Sequence, residues 1–288
     1  MKTVAGFCAL VELLFACGMA FAEPATTRSP YTLTVVPFYS PEKIWARYAP
    51  MIDYLRQDTG QPWELVFYPS HDTLIEGLCS GEVALAFLGP VPLGRAMERC
   101  GVEVVLIARA PDGDPFYHAV LLTAEPEVAT LADLRDRPVA LFRGSTASHI
   151  LPRTMLREVG IGRDGIRPVF FESQDRIMTA LLNREVAGAG VKEALYQKFA
   201  GEGLRVLAVS EPLPNFAFAA RPGLDPGVRA SFADSLLRLQ PQGNPQDRQR
   251  LDVWDDEVRN GFLPVPPSFH DSVRALAAVS SEILREDR

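Results

Sequence analysis

The sequence has few residues of the kinds that build metal sites, nucleic-acid interfaces or membrane spans. Its 288 residues include only four histidines and four cysteines, widely spread, so we predict no metal site. No block rich in lysine and arginine occurs, and 36 acidic residues against 29 basic ones give a net charge of −7, which argues against nucleic-acid binding. No uncharged apolar run reaches the roughly 18 residues that a membrane-spanning helix needs. The 47% of apolar and 23% of charged residues are typical of a globular fold, and the length allows one large domain or two lobes.

The first 22 residues have the pattern of a secretory signal peptide. Lys2 supplies a positive charge, residues 4–19 are mostly apolar, and the segment that ends at Ala22 matches the small-x-small cleavage pattern. We therefore expect a signal peptide at residues 1–22, cleavage after Ala22 and a periplasmic mature chain. A membrane anchor and lipoprotein processing at Cys17 remain open as alternatives.

Signal-peptide cleavage would leave two cysteines, Cys79 and Cys100. Two cysteines in an exported protein can pair, and the 20 residues between them would close a loop. Closing a loop of this size contributes about 3 kcal/mol on the chain-entropy argument. We predict a Cys79–Cys100 disulfide, with two buried free thiols as the alternative.

From residue 31 onward, segments with strand and helix patterns alternate. Short runs rich in β-branched or apolar residues predict strands, and apolar residues at spacings of three and four predict helices. The predicted strands are residues 31–37, 64–68, 83–88, 102–110, 118–124, 138–142, 169–171, 186–191, 205–210 and 216–220. The predicted helices are residues 41–59, 72–80, 130–136, 149–159, 173–183, 192–200, 226–239 and 268–286. This alternation predicts an α/β fold, with residues 240–266 as a surface excursion.

The order of these elements suggests two α/β lobes. The first lobe would comprise residues 31–121 and be completed by residues 214–288. The second lobe would be the inserted residues 122–213. Strands near residues 116–122 and 211–217 would cross between the lobes. Because ligands of α/β folds gather at the carboxyl ends of strands, the cleft between the lobes is the candidate ligand site.

One stretch, residues 143–148 (RGSTAS), has the pattern of an anion site. It follows a predicted strand and precedes a helix, where the first amides lack partners and the helix dipole is positive. Ser145 and Thr146 add hydroxyl donors, and Gly144 lets the backbone approach a ligand. The stretch therefore suits a phosphate-like group. The alternative is that Ser145 serves only as an N-cap.

Six segments of the chain have a characteristic order and spacing. They are Tyr39-Ser40-Pro41-Glu42, residues 48–55 before Gly60, residues 81–90 (GEVALAFLGP), residues 131–135 (LADLR), Ser145 to Ser148 with Pro152, and residues 210–215 (SEPLPN). In this arrangement the sequence resembles the phosphonate, phosphite and phosphate-type substrate-binding proteins of bacterial ABC importers.

The resemblance implies a type II periplasmic binding protein fold. In that fold two mixed sheets flanked by helices are joined by a hinge of two crossing strands. The two lobes close on a small oxyanion and deliver it to the membrane permease of an ABC importer. We therefore expect a monomer with no cofactor, no catalytic residue and no enzymatic activity.

The resemblance also implies which residues hold the ligand. Ser145, Thr146 and the Ala147 amide would bind the head group. The loop with Tyr39 and Ser40, and the turn with Gly89, would form the opposing wall.

Three further positions belong to the expected site and depart from the family pattern. Gln174 lies where the family often has histidine, Glu193 lies one position from an expected acid, and Asn215 is followed by Phe216 where the family often has an acid. In the family, the acids at such positions accept hydrogen bonds from an amine or a protonated phosphonate oxygen of the ligand. Because this sequence does not match those acids, a smaller or more apolar ligand, or a different anion, stays open.

Two other functions stay open on the sequence alone. The protein could feed a sensor kinase instead of a permease, or it could be a small exported enzyme. An enzyme would need a general acid or base, but Glu172, Asp175 and Glu193 form no recognisable pair. Ser145 and His149 lie one helical turn apart without the Gly-x-Ser-x-Gly elbow of a hydrolase, and His149 is more simply interpreted as a surface histidine.

Overall fold

The computed structural model describes residues 29–287, so the predicted signal peptide and its cleavage site lie outside the described residues. The strands are β1 (Tyr31–Val35), β2 (Trp63–Val66), β3 (Leu85–Leu88), β4 (Glu103–Ala108), β5 (Phe116–Tyr117), β6 (Ala119–Thr123), β7 (Pro138–Leu141), β8 (Arg167–Phe170), β9 (Gly188–Lys192), β10 (Arg205–Val209), β11 (Leu213–Pro214), β12 (Ala217–Ala220) and β13 (Phe262–Leu263). The helices are α1 (Pro41–Thr59), α2 (His71–Ser80), α3 (Pro90–Cys100), α4 (Leu151–Glu158), α5 (Gln174–Leu182), α6 (Glu193–Gln197), α7 (Pro226–Leu237), α8 (Pro245–Leu251) and α9 (Phe269–Glu286). None of these helices has the length and apolar character that crossing a bilayer requires.

The strands form two mixed sheets. The first sheet has the order β13-β4-β12-β3-β1-β2, with β1 parallel to β2 and β3, and with β12 antiparallel to both its neighbours. The second sheet has the order β10-β6-β9-β7-β8, with β7 parallel to β8 and β9. Both sheets are flanked by helices, which confirms the predicted α/β class.

A two-stranded antiparallel ladder joins the sheets. Tyr117 of β5 pairs with Leu213 of β11, and Phe116 pairs with Pro214. The chain leaves the first sheet through β5 and returns to it through β11. This pair is the expected hinge of two crossing strands.

Helix α1 illustrates how local sequence fixes these elements. The Ser40 side chain accepts a hydrogen bond from the amide of Lys43, and Pro41 occupies the first helical position, where no N–H is needed. Gly60 ends the helix in the left-handed conformation, with φ of 64°. Its inner face is buried and consists of Ile44, Tyr48, Met51, Ile52 and Leu55. The helix therefore begins and ends where the sequence predicts.

The two cysteines of the described residues are joined. Cys79 lies near the end of α2 and Cys100 ends α3, and their sulfur atoms are 2.02 Å apart as a disulfide. The bond ties together two helices that pack beside each other on the first sheet.

The structure corrects the sequence prediction at three places. Residues 240–266 are not a mere surface excursion: they contain α8 and β13, and β13 pairs with β4 at the sheet edge while Trp254 is buried. Helix α3 was not predicted, because Pro90 and Pro92 mask a helix whose first turn tolerates proline. The predicted helix at residues 130–136 is only a 3-10 turn at Leu131–Leu134.

Candidate ligand-binding site between the two sheets

A cavity of about 590 Å³ lies beside the β5–β11 ladder, and residues attached to both sheets line it. We call it the central cavity. Tyr39 follows β1 and Asn215 precedes β12 on the side of the first sheet. Gln174 begins α5 and Glu193 follows β9 on the side of the second sheet. The structure therefore brings these four predicted site residues together around one cavity.

The other predicted residues lie elsewhere. Ser40 is exposed and caps α1. Gly89 is packed under the ring of Phe216, where an added Cβ would lie 2.9 Å from ring carbons. Ser145, Thr146 and Ala147 are buried, and none of the three borders the central cavity.

The buried residues 144–149, which we call the Thr146 turn, meet the start of helix α3. The Val91 amide donates a hydrogen bond to Thr146 Oγ1, with an N–O distance of 3.0 Å. Pro90 and Pro92 have no N–H, so Val91 supplies the amide that α3 presents here. Two helix beginnings, one from each side of the molecule, therefore converge on one buried hydroxyl.

Local geometry explains how the Thr146 turn is formed. Ser145 Oγ accepts from the Ser148 amide at 3.2 Å, and the Ser145 carbonyl accepts from the Ile150 amide at 3.1 Å, which makes the first turn a wide π-turn. The amides of Thr146 and Ala147 find no acceptor within residues 29–287. Ser145 thus acts as an N-cap. In addition, the amides of Thr146 and Ala147 remain available to donate hydrogen bonds to a ligand.

Gly190 of β9 allows the turn to lie close to the second sheet. A Cβ on Gly190 would lie 2.1 Å from Pro152 Cγ and 2.7 Å from the Ala147 carbonyl oxygen. Only glycine fits such an approach without displacement. The sequence signal for this contact was the run of small residues in β9, which we interpreted only as a strand.

His149 is a buried residue of this turn, contrary to the surface position that we expected. It is fully buried, and Nδ1 accepts from the Gly144 amide at 3.0 Å while Nε2 lies 2.8 Å from Asp287 Oδ2. Burial lowers the pKa of His149, although Asp287 opposes the shift. The contact with Asp287, which lies just beyond α9 and far from His149 in the chain, had no signal in the sequence.

Two tyrosines border the central cavity and stay protonated. Burial raises the pKa of Tyr39, and the nearby carboxylates of Asp255 and Glu257 raise it further. Burial also raises the pKa of Tyr117. The Tyr117 hydroxyl is buried without a hydrogen-bond partner among the described residues, although Thr146 lies near it. Both phenols can therefore donate to an acceptor in the site.

A buried ion pair, which sequence reasoning missed, borders the central cavity. Lys192 Nζ donates to Asn215 Oδ1 at 2.9 Å and to Glu257 Oε2. Asn215 is itself fixed, because its Nδ2 donates to the Ala108 carbonyl and its oxygen also accepts from the Phe216 amide. Lys192 was not selected because the sequence pattern placed it at the start of the predicted helix 192–200, whereas it ends β9. Glu257 was not selected because it lies in the supposed surface excursion.

Comparisons with known proteins agree with this architecture. A sequence model of the periplasmic phosphonate substrate-binding proteins of ABC transporters matches residues 33–267. This chain belongs to that family.

Individual proteins show a similar likeness over most of the chain. The phosphate-import protein PhnD of Mycolicibacterium smegmatis is 25% identical over 96% of this chain and 95% of its own. The structure of PhnD1 from Prochlorococcus marinus in complex with methylphosphonate has a TM-score of 0.76 at 12% identity, covering 88% of this chain and 97% of the other. A binding protein component of an ABC phosphonate transporter from Pseudomonas aeruginosa has a TM-score of 0.72 at 16% identity, covering 90% and 97%.

Family membership favours the substrate-binding function over the other functions that the sequence left open. The chain is a periplasmic substrate-binding protein of the ABC-transporter type, with the type II binding-protein fold that we predicted. Both predictions are confirmed.

Proposed function

We propose that this protein captures a small oxyanion of the phosphonate, phosphite or phosphate class and delivers it unchanged to the permease of an ABC importer. The lobes would be residues 31–121 with 214–288, and residues 122–213. Two relatives, one named for phosphate import and one bound to methylphosphonate, support this ligand class.

The observation that carries the proposal is the convergence of two helix beginnings at Thr146. The Val91 amide, the Thr146 hydroxyl and the free amides of Thr146 and Ala147 are uncharged donors gathered from both sides of the molecule. Such donors at helix beginnings favour an oxyanion. We infer that a ligand oxygen takes over the Val91 amide, which here donates to Thr146 Oγ1.

Binding would then be coupled to closure of the two lobes. The Gln174 amide donates to the Phe38 carbonyl at 3.3 Å, and Lys43 Nζ lies 2.5 Å from Asp175 Oδ2. Each contact joins an element of one side to an element of the other. A ligand that binds the closed form better than the open form shifts the population toward closure.

Three finer statements belong to the same proposal. We propose that the protein is exported with cleavage after Ala22, that it is a monomer, and that it turns over no substrate. Mass measurement of the periplasmic protein tests the first statement, and light scattering tests the second. Product analysis after incubation with phosphonates tests the third.

Calorimetric titration tests the ligand class. The panel comprises phosphate, phosphite, methylphosphonate and methanesulfonate, and at least one phosphorus oxyanion should bind. Thr146→Val removes the hydroxyl while preserving shape, so we expect Kd for that anion to rise about tenfold or more. Thr179→Val, the same change at an exposed position of α5, is the control and should alter Kd by less than about twofold. A panel in which no phosphorus oxyanion binds, or equal effects of both variants, would refute the proposal.

A further inference from the structure

Lys192 is an unusual residue to find at the inner end of a ligand cavity. It ends β9, borders the central cavity and is only 5% exposed. Lysine is almost never buried to this degree unless it is paired. Its role depends on whether its partners accept all of its hydrogen bonds or leave an N–H donor for a ligand.

The hydrogen bonds of Lys192 leave one donor unused. An ammonium group has three N–H donors, and Asn215 and Glu257 accept two of them. Within residues 29–287 no oxygen or nitrogen accepts the third. The ammonium instead lies over two aromatic rings, 4.6 Å from the centroid of Tyr117 and 4.7 Å from that of Phe216. A buried cation with a spare donor is therefore available to a ligand in the cavity.

Tyr117 relates this cation to the proposed head-group site. Its hydroxyl end lies near Thr146, and its ring faces the Lys192 ammonium. The two sites are thus separated by about the length of one tyrosine side chain. A ligand with its head group at Thr146 and a second acidic group on a short linker would span that separation.

Glu257 holds the position that such a second acid would take. The neighbouring acids have other partners: Asp255 is bonded to Arg47 and Tyr48, and Asp256 to Lys198. The Glu257 side chain makes its one described salt bridge with Lys192 and is partly exposed at 15%. It can therefore exchange with a ligand carboxylate without breaking the other two acid pairs.

We propose that Lys192 determines specificity for ligands that carry a second acidic group, of the phosphonocarboxylate class, and that Glu257 occupies this subsite when no ligand is bound. This inference rests on the proposed oxyanion function and names the substrate class for the same site. A protonated amine on the ligand would face the Lys192 ammonium directly, and like charges in a buried site repel strongly.

The test is calorimetric titration of the full mature protein with four probes. Methylphosphonate has no second group, phosphonoacetate and 3-phosphonopropionate have an acidic one, and 2-aminoethylphosphonate has a basic one. The wild type should bind one of the acidic probes about tenfold or more tightly than the basic probe. Lys192→Met should reduce this ratio by about tenfold, and Lys192→Arg should retain the preference for acid.

Two further variants separate a binding role from a structural ion pair. Glu257→Gln removes the competing carboxylate, so it should raise affinity for the acidic probe about threefold or more. Lys198→Met removes an exposed lysine paired with Asp256 and should leave the ratio unchanged. Thermal unfolding identifies any variant that fails to fold, in which case the Glu257→Gln result decides.

Three results would overturn the inference while leaving the proposed function intact. They are a wild-type preference for the basic probe, an unchanged ratio in folded Lys192→Met, and weaker binding of the acidic probe to Glu257→Gln. If none of the four probes binds while phosphate or phosphite does, the inference fails and the proposed function stands. If phosphate, phosphite and the four probes all fail to bind, both fail.

Discussion

The Thr146 turn and the Lys192 end of the central cavity both lie beside the Tyr117 side chain, but they present different chemical groups. The turn offers backbone amides and hydroxyls, and the one ionisable ring within it, His149, is buried and bonded to Asp287. The cavity end offers a cation matched by a carboxylate. Uncharged donors can lose a partner and remain buried at moderate cost, whereas an unpaired buried charge costs several kcal/mol.

This difference explains what each region can offer to a ligand. The Thr146 turn is joined to the start of α3 by a neutral hydrogen bond between Val91 and Thr146. The Lys192 end needs a resident counter-ion, and Glu257 provides it. The first region is thus suited to general oxyanion capture and the second to choosing among oxyanions. Both regions can be perturbed separately.

Protonation of a buried histidine beside the Thr146 turn should lower the free energy of unfolding, and this is the largest of the stability effects that we expect. His71 of α2 stacks on Phe142, which precedes the turn, with ring centroids 4.8 Å apart. Burial, with a contribution from Arg95, lowers the pKa of His71 to about 4 from 6.5. As pH falls below 6.5 the unfolded chain takes up a proton that the folded chain refuses, so stability falls until about pH 4. The loss should be about 3 kcal/mol in all.

Denaturant unfolding between pH 7.5 and 4 measures this dependence. His71→Phe keeps an aromatic ring against Phe142 but cannot be protonated, so its stability should fall less steeply with decreasing pH. His149, whose pKa is also lowered, leaves a residual slope in this variant. His270→Asn serves as the control and should follow the wild type. Identical pH profiles for His71→Phe and the wild type would contradict the prediction.

The next effect concerns how closely the turn lies against the second sheet. Gly190→Ala should destabilise the protein by about 2 kcal/mol and weaken anion binding, because its Cβ would press on Pro152 and the Ala147 carbonyl. Gly162→Ala is the matched control, since no atom lies within 4 Å of its added Cβ. Thermal unfolding and methylphosphonate titration measure both effects. The prediction is wrong if the two variants behave alike.

The two regions also differ in how far the sequence revealed them. The strand–Gly-Ser-Thr–helix pattern identifies the turn, because helix capping and first-turn amides are local properties of consecutive residues. The same locality explains why α1 could be predicted, whereas the two mixed sheets were expected only from the family resemblance. The burial of Thr146 could not be predicted. Its partner Val91 is 55 positions away in the sequence, in a helix that two prolines made hard to recognise.

The Lys192 end was missed for a similar reason. Lys192, Asn215 and Glu257 come from three distant segments, and Lys192 and Glu257 are 65 positions apart in the sequence. A single sequence does not indicate which charges meet across a cavity. Glu193, which was selected for its nearness to an expected acid, borders the cavity but makes no salt bridge in the described residues, whereas its neighbour Lys192 does.

The smallest effect should come from an ion pair that also crosses between the two sides but lies in solvent. Lys43 and Asp175 have side chains 38% and 37% exposed, so their coupling should be below about 1 kcal/mol and should weaken further with added salt. A double-mutant cycle of Lys43→Met and Asp175→Asn, measured by anion affinity, gives this energy. Each single change should alter Kd by less than about fivefold. A coupling of about 2 kcal/mol or more would mean that an exposed ion pair controls closure. Burial would then no longer distinguish the Lys192 pair from the Lys43 pair.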